Sequence, residues 1–417
     1  MDKRVLKNII LDQHNIIKEM QINQRDYELE DNMCYVLVGM RRVGKSTLLY
    51  SKVMEYINKG IDWSQIIYIN FEDERLSEFK STDFQDIILV KNEFTTKKGY
   101  YFFDEIQNID GWDRFARRMA DANEIVYITG SNSKMLSNEV SAKLGGRYIS
   151  KYIMPYNFKE YINANHIVID ESTKSLSLVS SKLNDYINYG GLPACINLKN
   201  KREYLTSVYD KLLLNDVMLH NNIRNERYMK ILVKKIAEMV KDETSYTRLN
   251  NILKSIGFSS SKDTIINYIG YLEEANLLFA VKNYYASFVQ KESTPKYYFM
   301  DNGILNLFLN DKLGLLFENM IAVELKRSGK DFYYLKSLKN DVDIDFYLPD
   351  DNIAIQASIS ISESASYIRE TEGLVRFAKI DTNNTRLFII TLDDDQTLEI
   401  NGYKIEVVSL RRALLMK

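Results

Sequence analysis

A mixed α/β fold with a central parallel sheet is predicted by the sequence, on the basis of three stretches. Residues 35–38 form a short apolar run, residues 39–47 form a glycine-containing loop, and residues 48–57 have the apolar spacing of a helix. Two further apolar runs, at residues 66–71 and 100–103, alternate with helical stretches. Strands that alternate with helices favour a parallel sheet joined by right-handed crossovers.

The loop matches the pattern G-x-x-x-x-G-K-[ST], which is typical of a phosphate-binding P-loop. Glycines let backbone N–H groups close around phosphates, and the helix N-terminus adds partial positive charge. Lys45 would reach the outer phosphates, and the Ser46 hydroxyl would ligate Mg²⁺. The predicted cofactor-binding residues of the loop are Gly39, Met40, Arg41, Arg42, Val43, Gly44, Lys45, Ser46 and Thr47. The alternative is a glycine loop that serves only as a turn.

The apolar run at residues 100–103 ends in two acids, Asp104 and Glu105. Ligands of open α/β sheets bind at the carboxyl ends of the strands, which is where these acids would lie. We expect Asp104 to hold Mg²⁺ through water and Glu105 to polarise the attacking water. Strand-end carboxylates are often only solvated caps, and the P-loop upstream is what favours catalysis.

Three more residues are candidates for the chemistry. A fourth apolar run, at residues 124–129, leads into Ser131 and Asn132, and either side chain could contact the γ-phosphate or the attacking water. The alternative is a strand-to-helix turn with serine as the helix cap. Arg147 follows two glycines and is predicted to be an arginine finger, in cis or in trans, rather than a solvated arginine. With Lys45 and Glu105 they complete the predicted catalytic set.

Composition sets the broad class of protein. The 417 residues are 45% hydrophobic and 27% charged, as in ordinary globular chains, and the length predicts about two to three domains. A net charge of −2 argues against a protein-wide nucleic-acid surface but allows a local one. The two distant cysteines, Cys34 and Cys195, indicate buried thiols in a reducing compartment. No apolar run approaches the ~20 residues of a membrane span, and no secretory signal is seen, so we expect a cytoplasmic protein.

Four motifs carry a family resemblance. They are Arg41-Arg42-Val43-Gly44-Lys45-Ser46, Asp104-Glu105-Ile106-Gln107, Thr129-Gly130-Ser131 and the turn Gly191-x-Pro193. As an ordered set they resemble the archaeal-type ATPases, an AAA-like group of bacteria and archaea near the STAND signalling ATPases. The resemblance covers nearly the whole chain, including a C-terminal region of the DUF4143 kind.

The resemblance implies a four-part organisation. Residues 1–156 would be an ASCE-type P-loop ATPase core with an N-terminal helix, and residues 157–222 a helical lid that carries Pro193 near the adenine. Residues 223–310 would be a winged helix, and residues 311–417 a restriction-endonuclease-like α/β domain. The implied ligands are ATP and Mg²⁺. No N/T-K-x-D stretch for reading guanine follows any strand, which also favours adenine.

The middle region supports the winged helix independently. Helical spacing in three stretches, at residues 228–240, 247–256 and from residue 260 onward, is followed by two β-like runs. Ser260 and Asp263 at the start of the third stretch are spaced as a capping box. This order suits helix-turn-helix DNA recognition. However, residues 241–300 hold seven Lys/Arg against six Asp/Glu, and a strong phosphate-binding face should be more basic. DNA binding therefore stays open beside packing against a protein partner or a second copy.

The C-terminal region resembles the restriction-endonuclease-like fold. Asp345 matches the aspartate that active members of that fold carry. Gln356 and Ser358 stand where those nucleases have Glu and Lys. Glutamine is a poorer metal ligand than glutamate, and serine provides no ammonium charge. We therefore expect an inactive nuclease site, retained as a binding or structural platform.

The leading functional hypothesis is Mg-ATP hydrolysis, with the nucleotide state controlling the binding of a partner for which DNA is a candidate. The alternative is a protein-interaction module gated by ATP occupancy without hydrolysis. Glu105 favours hydrolysis, because an occupancy switch has no need of a residue that activates water.

Overall fold

The computed structural model divides into two units, residues 1–154 with 274–276, and residues 155–273 with 277–417. The residues that the structure describes are 1–131, 142–170, 172–258, 261–287, 291, 294–310 and 312–415.

A five-stranded parallel sheet forms the centre of the first unit, in the order β2-β3-β4-β1-β5. All four neighbouring pairs run parallel, so every strand ends at the same edge. Because parallel strands are buried on both faces, they appear in sequence as continuous apolar runs. The strands are β1 (Cys34–Val38), β2 (Ile66–Asn70), β3 (Tyr100–Asp104), β4 (Ile125–Gly130) and β5 (Tyr148–Tyr152).

Helices cover both faces of this sheet. One face packs against three of them through aliphatic and aromatic side chains, and the other lies against the helix that follows β1. On that second face four rings form a row across neighbouring strands, with centroids 5.0–6.2 Å apart: Tyr35, Tyr127, Phe102 and Tyr68. The helices on the first face are α1 (Lys3–Glu19), α3 (Phe84–Phe94) and α4 (Trp112–Asp121), and the helix on the second is α2 (Lys45–Asn58).

The second unit begins with helices and a hairpin. Its first elements are helices, and the last three of these are followed by a two-stranded antiparallel hairpin of β6 and β7. The helical elements are α5 (Phe158–Ala164), α6 (Thr173–Tyr189), α7 (Lys201–Lys211) with a π-helical extension (Leu212–Leu219), α8 (Glu226–Glu238), α9 (Tyr246–Ser255) and α10 (Lys262–Glu274). The hairpin strands are β6 (Leu278–Val281) and β7 (Lys296–Phe299).

A buried aspartate holds the turn that follows α6. Asp301 accepts hydrogen bonds from the N–H groups of Gly191 at 2.8 Å, Gly303 at 2.9 Å and Ile304 at 3.2 Å. A Cβ atom on Gly190 would lie 2.2 Å from an Asp301 carboxylate oxygen, and its φ of 71° also favours glycine. One side chain therefore holds both the turn after α6 and the N-terminus of the short helix Asn302–Leu305.

The C-terminal part of the second unit is a six-stranded mixed sheet in the order β12-β13-β11-β10-β9-β8. Its elements are α11 (Asn302–Leu305), α12 (Leu313–Arg327), β8 (Tyr333–Ser337), β9 (Val342–Leu348), β10 (Ile353–Ala357), α13 (Ser364–Ile380), β11 (Arg386–Thr391), β12 (Gln396–Ile400), β13 (Tyr403–Ser409) and α14 (Leu410–Leu415). Side chains of α13 and of the inner strands form its core.

The predicted fold class is confirmed, because a parallel α/β core precedes a second, C-terminal α/β sheet. The four-part division of the chain stays a prediction. Within the described residues, none of the helices has both the length and the apolar character that crossing a membrane requires.

Candidate functional site

The P-loop connects β1 to α2 and has a backbone that only glycine allows at two points. A Cβ atom on Gly39 would lie 2.0 Å from the carbonyl oxygen of Ile153, so no side chain fits there. Gly44 has φ 92° and is the N-cap of α2 with no side-chain capping bond. The N-terminus of α2 therefore keeps its first N–H groups free of a side-chain cap, in the form that suits an anion.

The ammonium of Lys45 lies inside this loop. Its Nζ donates to the carbonyl oxygens of Gly39 at 3.0 Å and Met40 at 3.3 Å, and lies 3.6 Å from Oε1 of Glu105. Lys45 is only 4% exposed. A buried ammonium with these partners is a cation held at the place where an outer phosphate would bind.

The other predicted loop residues lie around this centre. Met40 and Val43 are buried, Ser46 and Thr47 are half-buried, and Arg42 is exposed with φ 68°. Arg41 donates to Glu72 at 2.8 Å. The predicted loop set is thus one continuous structure.

Asp104 is the last residue of β3 and is 1% exposed. Tyr68 donates to its Oδ2 at 2.9 Å, Thr129 donates to its Oδ1, and the Ser46 hydroxyl is also a hydrogen-bond partner. Burial raises the pKa of the Asp104 carboxyl, the charge of Glu105 raises it further, and the three hydroxyl groups act against this. The hydroxyl groups thus favour the carboxylate form.

Glu105 follows in a left-handed backbone conformation, with φ 52°. Its N–H donates to Oγ1 of Thr129 at 2.9 Å, and its carboxylate accepts from Nε2 of Gln107 at 2.5 Å. A non-glycine residue in this region costs free energy and persists only where its surroundings fix it. The turn directs the Glu105 carboxylate towards Lys45.

Thr129 and Tyr68 were missed as site residues by the sequence analysis. Thr129 is fully buried at the carboxyl end of β4, between the two acids, donating to one and accepting from the other. A polar residue ending an apolar run was the available signal for Thr129. For Tyr68 the signal was a hydroxyl in the middle of a buried strand, where it needs a partner.

Of the two predicted sensor residues, Ser131 is described and Asn132 lies outside the described residues. Ser131 directly follows β4 and is 6% exposed, and its carbonyl accepts from Nδ2 of Asn276 at 3.2 Å. Ser131 is therefore at the correct edge of the sheet, and its sensing role stays a prediction.

Arg147 lies at the opposite edge of the sheet. It precedes Tyr148, which pairs with Cys34 at the start of β1, whereas the P-loop follows the end of β1. Five residues of extended strand span about 16 Å. Arg147 forms an ion pair with Asp121 and donates to Gly145. Arg147 is thus about 16 Å from the P-loop along β1 of its own chain. Its role, as an arginine finger or as a solvated arginine, stays a prediction.

Pro193 belongs to the second unit, where it opens a short 3₁₀ turn, Pro193–Cys195. Its predicted place near the adenine stays a prediction.

The positions predicted to form an inactive nuclease site lie in the second unit, and that prediction stays untested. Asp345 and Glu318 lie 3.6 Å and 3.8 Å from Nζ of Lys296, which is buried between them. Gln356 accepts from the N–H of Asp345 at 2.8 Å, and the Ser358 hydroxyl donates to the backbone at 3.0 Å. In the part of the chain that the structure describes, no cluster of three or more His, Cys, Asp or Glu side chains could hold a metal ion.

The residues of the first unit fit a magnesium-bound nucleotide. The Ser46 hydroxyl and the Asp104 carboxylate are the hard oxygen ligands that Mg²⁺ prefers. The side-chain-free Gly39 and the uncapped N-terminus of α2 suit phosphate groups.

Comparison with known proteins gives two family matches. Residues 31–162 match the AAA domain, and residues 180–313 match a domain of unknown function, DUF8612. Among solved structures, the Walker-type ATPase PABY2304 of Pyrococcus abyssi shares 14% identity with a TM-score of 0.41, covering 70% of this chain and 99% of that one.

Two relatives match along nearly their whole length. The uncharacterized protein MJ1544 of Methanocaldococcus jannaschii is 30% identical over 98% of this chain and 95% of its own. An uncharacterized protein of Haemophilus influenzae is 28% identical over 94% of this chain and 96% of its own. The chain therefore belongs to the same family as MJ1544, and its N-terminal unit contains an AAA domain with a P-loop.

Proposed function

We propose that this protein hydrolyses ATP to ADP and phosphate, and that its nucleotide state controls the binding of a partner. The observation that carries the proposal is the position of the Glu105 carboxylate, 3.6 Å from the Lys45 ammonium and directly after the buried Asp104. A carboxylate beside the phosphate-binding lysine is where a water-activating group has to be.

Ser46 and Asp104 would hold Mg²⁺, which when bound offsets the negative charge of the phosphates. Lys45 would exchange its two backbone carbonyl partners for phosphate oxygens, which are stronger acceptors. That movement also changes the partner of Glu105, whose carboxylate would be free to accept a proton from water. Gln107 keeps the Glu105 carboxylate oriented during this exchange.

Thr129 fixes the relative position of the two acids through its hydroxyl group. Ser131 or Asn132 would sense the γ-phosphate from the neighbouring strand end. Arg147 would complete the site of a second copy, which requires at least a dimer. Pro193 would lie near the adenine within the lid.

The partner surface we propose is the α8–α10 region with its β6–β7 hairpin, used as a winged helix. The order of three helices and a hairpin supports this, and DNA is the first partner to test. The C-terminal sheet would be a nuclease-like platform without cleavage activity, because Gln356 and Ser358 provide neither a carboxylate nor an ammonium.

The test is Mg²⁺-dependent ATP turnover by the wild type and Glu105→Gln, each with and without duplex DNA. Glu78→Gln is the matched control, since Glu78 is exposed in the same unit. We expect Glu105→Gln to bind ATP and lose turnover, while the control behaves as wild type. If DNA does not change turnover, we expect the α8–α10 region to bind a protein partner instead.

ATP binding without turnover in the wild type would favour the occupancy-gated module over the hydrolase. Metal-dependent DNA cleavage that disappears in Asp345→Ala would refute the inactive-platform interpretation.

A further inference from the structure

Arg25, a buried arginine that none of the predicted motifs contains, contacts the P-loop. Arg25 lies between α1 and β1 and is 8% exposed. Its Nη1 donates to the carbonyl oxygen of Val43 at 2.8 Å, and its Nη2 donates to that of Met154 at 2.7 Å. One guanidinium therefore connects the loop to the segment after β5.

That segment is also held by the last residue of β1 and by the stretch between α1 and β1. The N–H of Ile153 donates to Val38 at 2.6 Å, and the N–H of Met154 donates to the hydroxyl of Tyr27 at 2.9 Å. Met154 thus has both backbone groups held by the stretch between α1 and β1. Through its bond to Val43, Arg25 extends this fixed region to the end of the P-loop that precedes α2.

The contact with Val43 determines which way the next N–H group points. In a trans peptide the carbonyl and the following N–H point in opposite directions. Because the Val43 carbonyl points to Arg25, the N–H of Gly44 points away from Arg25. Gly44 is the N-cap of α2, so its N–H belongs to the end of the helix that attracts anions.

Arginine suits this position better than lysine. Its planar fork reaches two acceptors at once, and it keeps its charge when buried. Nη1 and Nη2 bind one carbonyl oxygen each, and the guanidinium plane fixes the angle between the two bonds.

We propose that Arg25 is a positioning residue of the nucleotide site, orienting the Gly44 amide for a phosphate by holding the Val43 carbonyl. The inference rests on the proposed nucleotide binding and identifies a residue that none of the loop motifs contains. Arg25 itself need not touch the nucleotide.

The test compares Arg25→Met and Arg25→Lys with the wild type in the full chain. Arg114→Met is the control, because Arg114 is an exposed arginine of the same unit. Two quantities are measured: the Kd of Mg-ATP, and amide hydrogen exchange of each segment without nucleotide. We expect Arg25→Met to raise the Kd about tenfold or more, equivalent to about 1.4 kcal/mol. Arg25→Lys should fall between Arg25→Met and the wild type.

In hydrogen exchange we expect faster exchange confined to residues 39–47 and 153–154. An unchanged Kd in a folded Arg25→Met variant would refute the proposal. Faster exchange spread evenly over the unit, with the Kd unaltered, would also refute the proposal, because it would indicate that Arg25 only stabilises the unit in general. If Arg25→Met does not fold, a wild-type Kd for Arg25→Lys refutes the proposal.

The wild-type Kd separates this inference from the proposed function. A wild type that does not bind ATP refutes nucleotide binding itself. A wild type that binds ATP, together with an Arg25→Met variant that binds equally well, refutes only the role of Arg25.

Discussion

Replacing Thr129 with valine should damage both the stability and the chemistry of the AAA domain. Valine has nearly the same shape as threonine but no hydroxyl group. The substitution removes a hydrogen bond to the Asp104 carboxylate and leaves the N–H of Glu105 without its acceptor. Thr129 is fully buried, so water cannot readily replace either bond.

The expected loss follows from these two bonds. A hydrogen bond to a charged group contributes about 1.5–3 kcal/mol, and a buried N–H left without a partner costs about 1–3 kcal/mol. Taken together, these two losses should lower the free energy of unfolding by about 2.5–6 kcal/mol. For a unit of this size, each kcal/mol lowers the melting temperature by about 2–4 °C.

The effect on turnover should be larger than the effect on binding. Glu105 has a left-handed backbone that needs its N–H bond to Thr129, and a displacement of about 1 Å can cost 10²-fold in rate. We expect kcat to fall about 10²-fold, with a smaller change in the Kd of ATP. Thermal unfolding and steady-state turnover measure the two effects on the same samples.

Thr129→Ser is the control, since it keeps the hydroxyl group and loses only a methyl group, about 0.8 kcal/mol of burial. The valine variant should be the more damaged of the two in both assays. If the serine variant is the less stable or the slower, the packing of the Thr129 methyl group contributes more than the hydrogen bonds of its hydroxyl group. That result would contradict the prediction.

Three further substitutions test other parts of the structure. Gly39→Ala should destabilise the unit by about 1–3 kcal/mol or more and abolish ATP binding, because its Cβ would lie 2.0 Å from a backbone oxygen; wild-type binding in a titration would contradict this. Tyr68→Phe should weaken the binding of Mg-ATP but not of metal-free ATP, since it removes a donor to Asp104; equal losses in both titrations would argue against it. Asp301 has a pKa raised to about 6 by burial, against an ordinary 3.8, so its folded form keeps a proton that the unfolded form releases. Stability should therefore fall as pH rises from about 4 to about 6, and chemical unfolding of Asp301→Asn should lack this slope.

The parts of the site that the sequence predicts are those carried by short local patterns. Residues 39–47 and Asp104 each follow a buried apolar run, and the strand order brings the two to one edge of the sheet. The continuous apolar runs indicated parallel strands because both faces of the sheet are covered. The family model that matches residues 31–162 is that of the AAA domain.

Other parts of the site depend on tertiary contacts that no local pattern contains. Arg25 and Tyr68 reach the site from a connecting segment and from a neighbouring strand, and nothing near them in sequence indicates their partners. Arg147 follows a promising pair of glycines, but the direction of β5 places it at the far edge. Strand register and direction decided the positions of Tyr68 and Arg147.

The row of four rings on the face against α2 limits how this sequence can diverge. Each ring packs on the next, and the last of them, Tyr68, holds Asp104. An aliphatic residue at Phe102 would leave space on both sides, into which Tyr127 and Tyr68 would shift. Among descendants of this chain, positions 35, 127, 102 and 68 should therefore change together, by exchange of one aromatic ring for another.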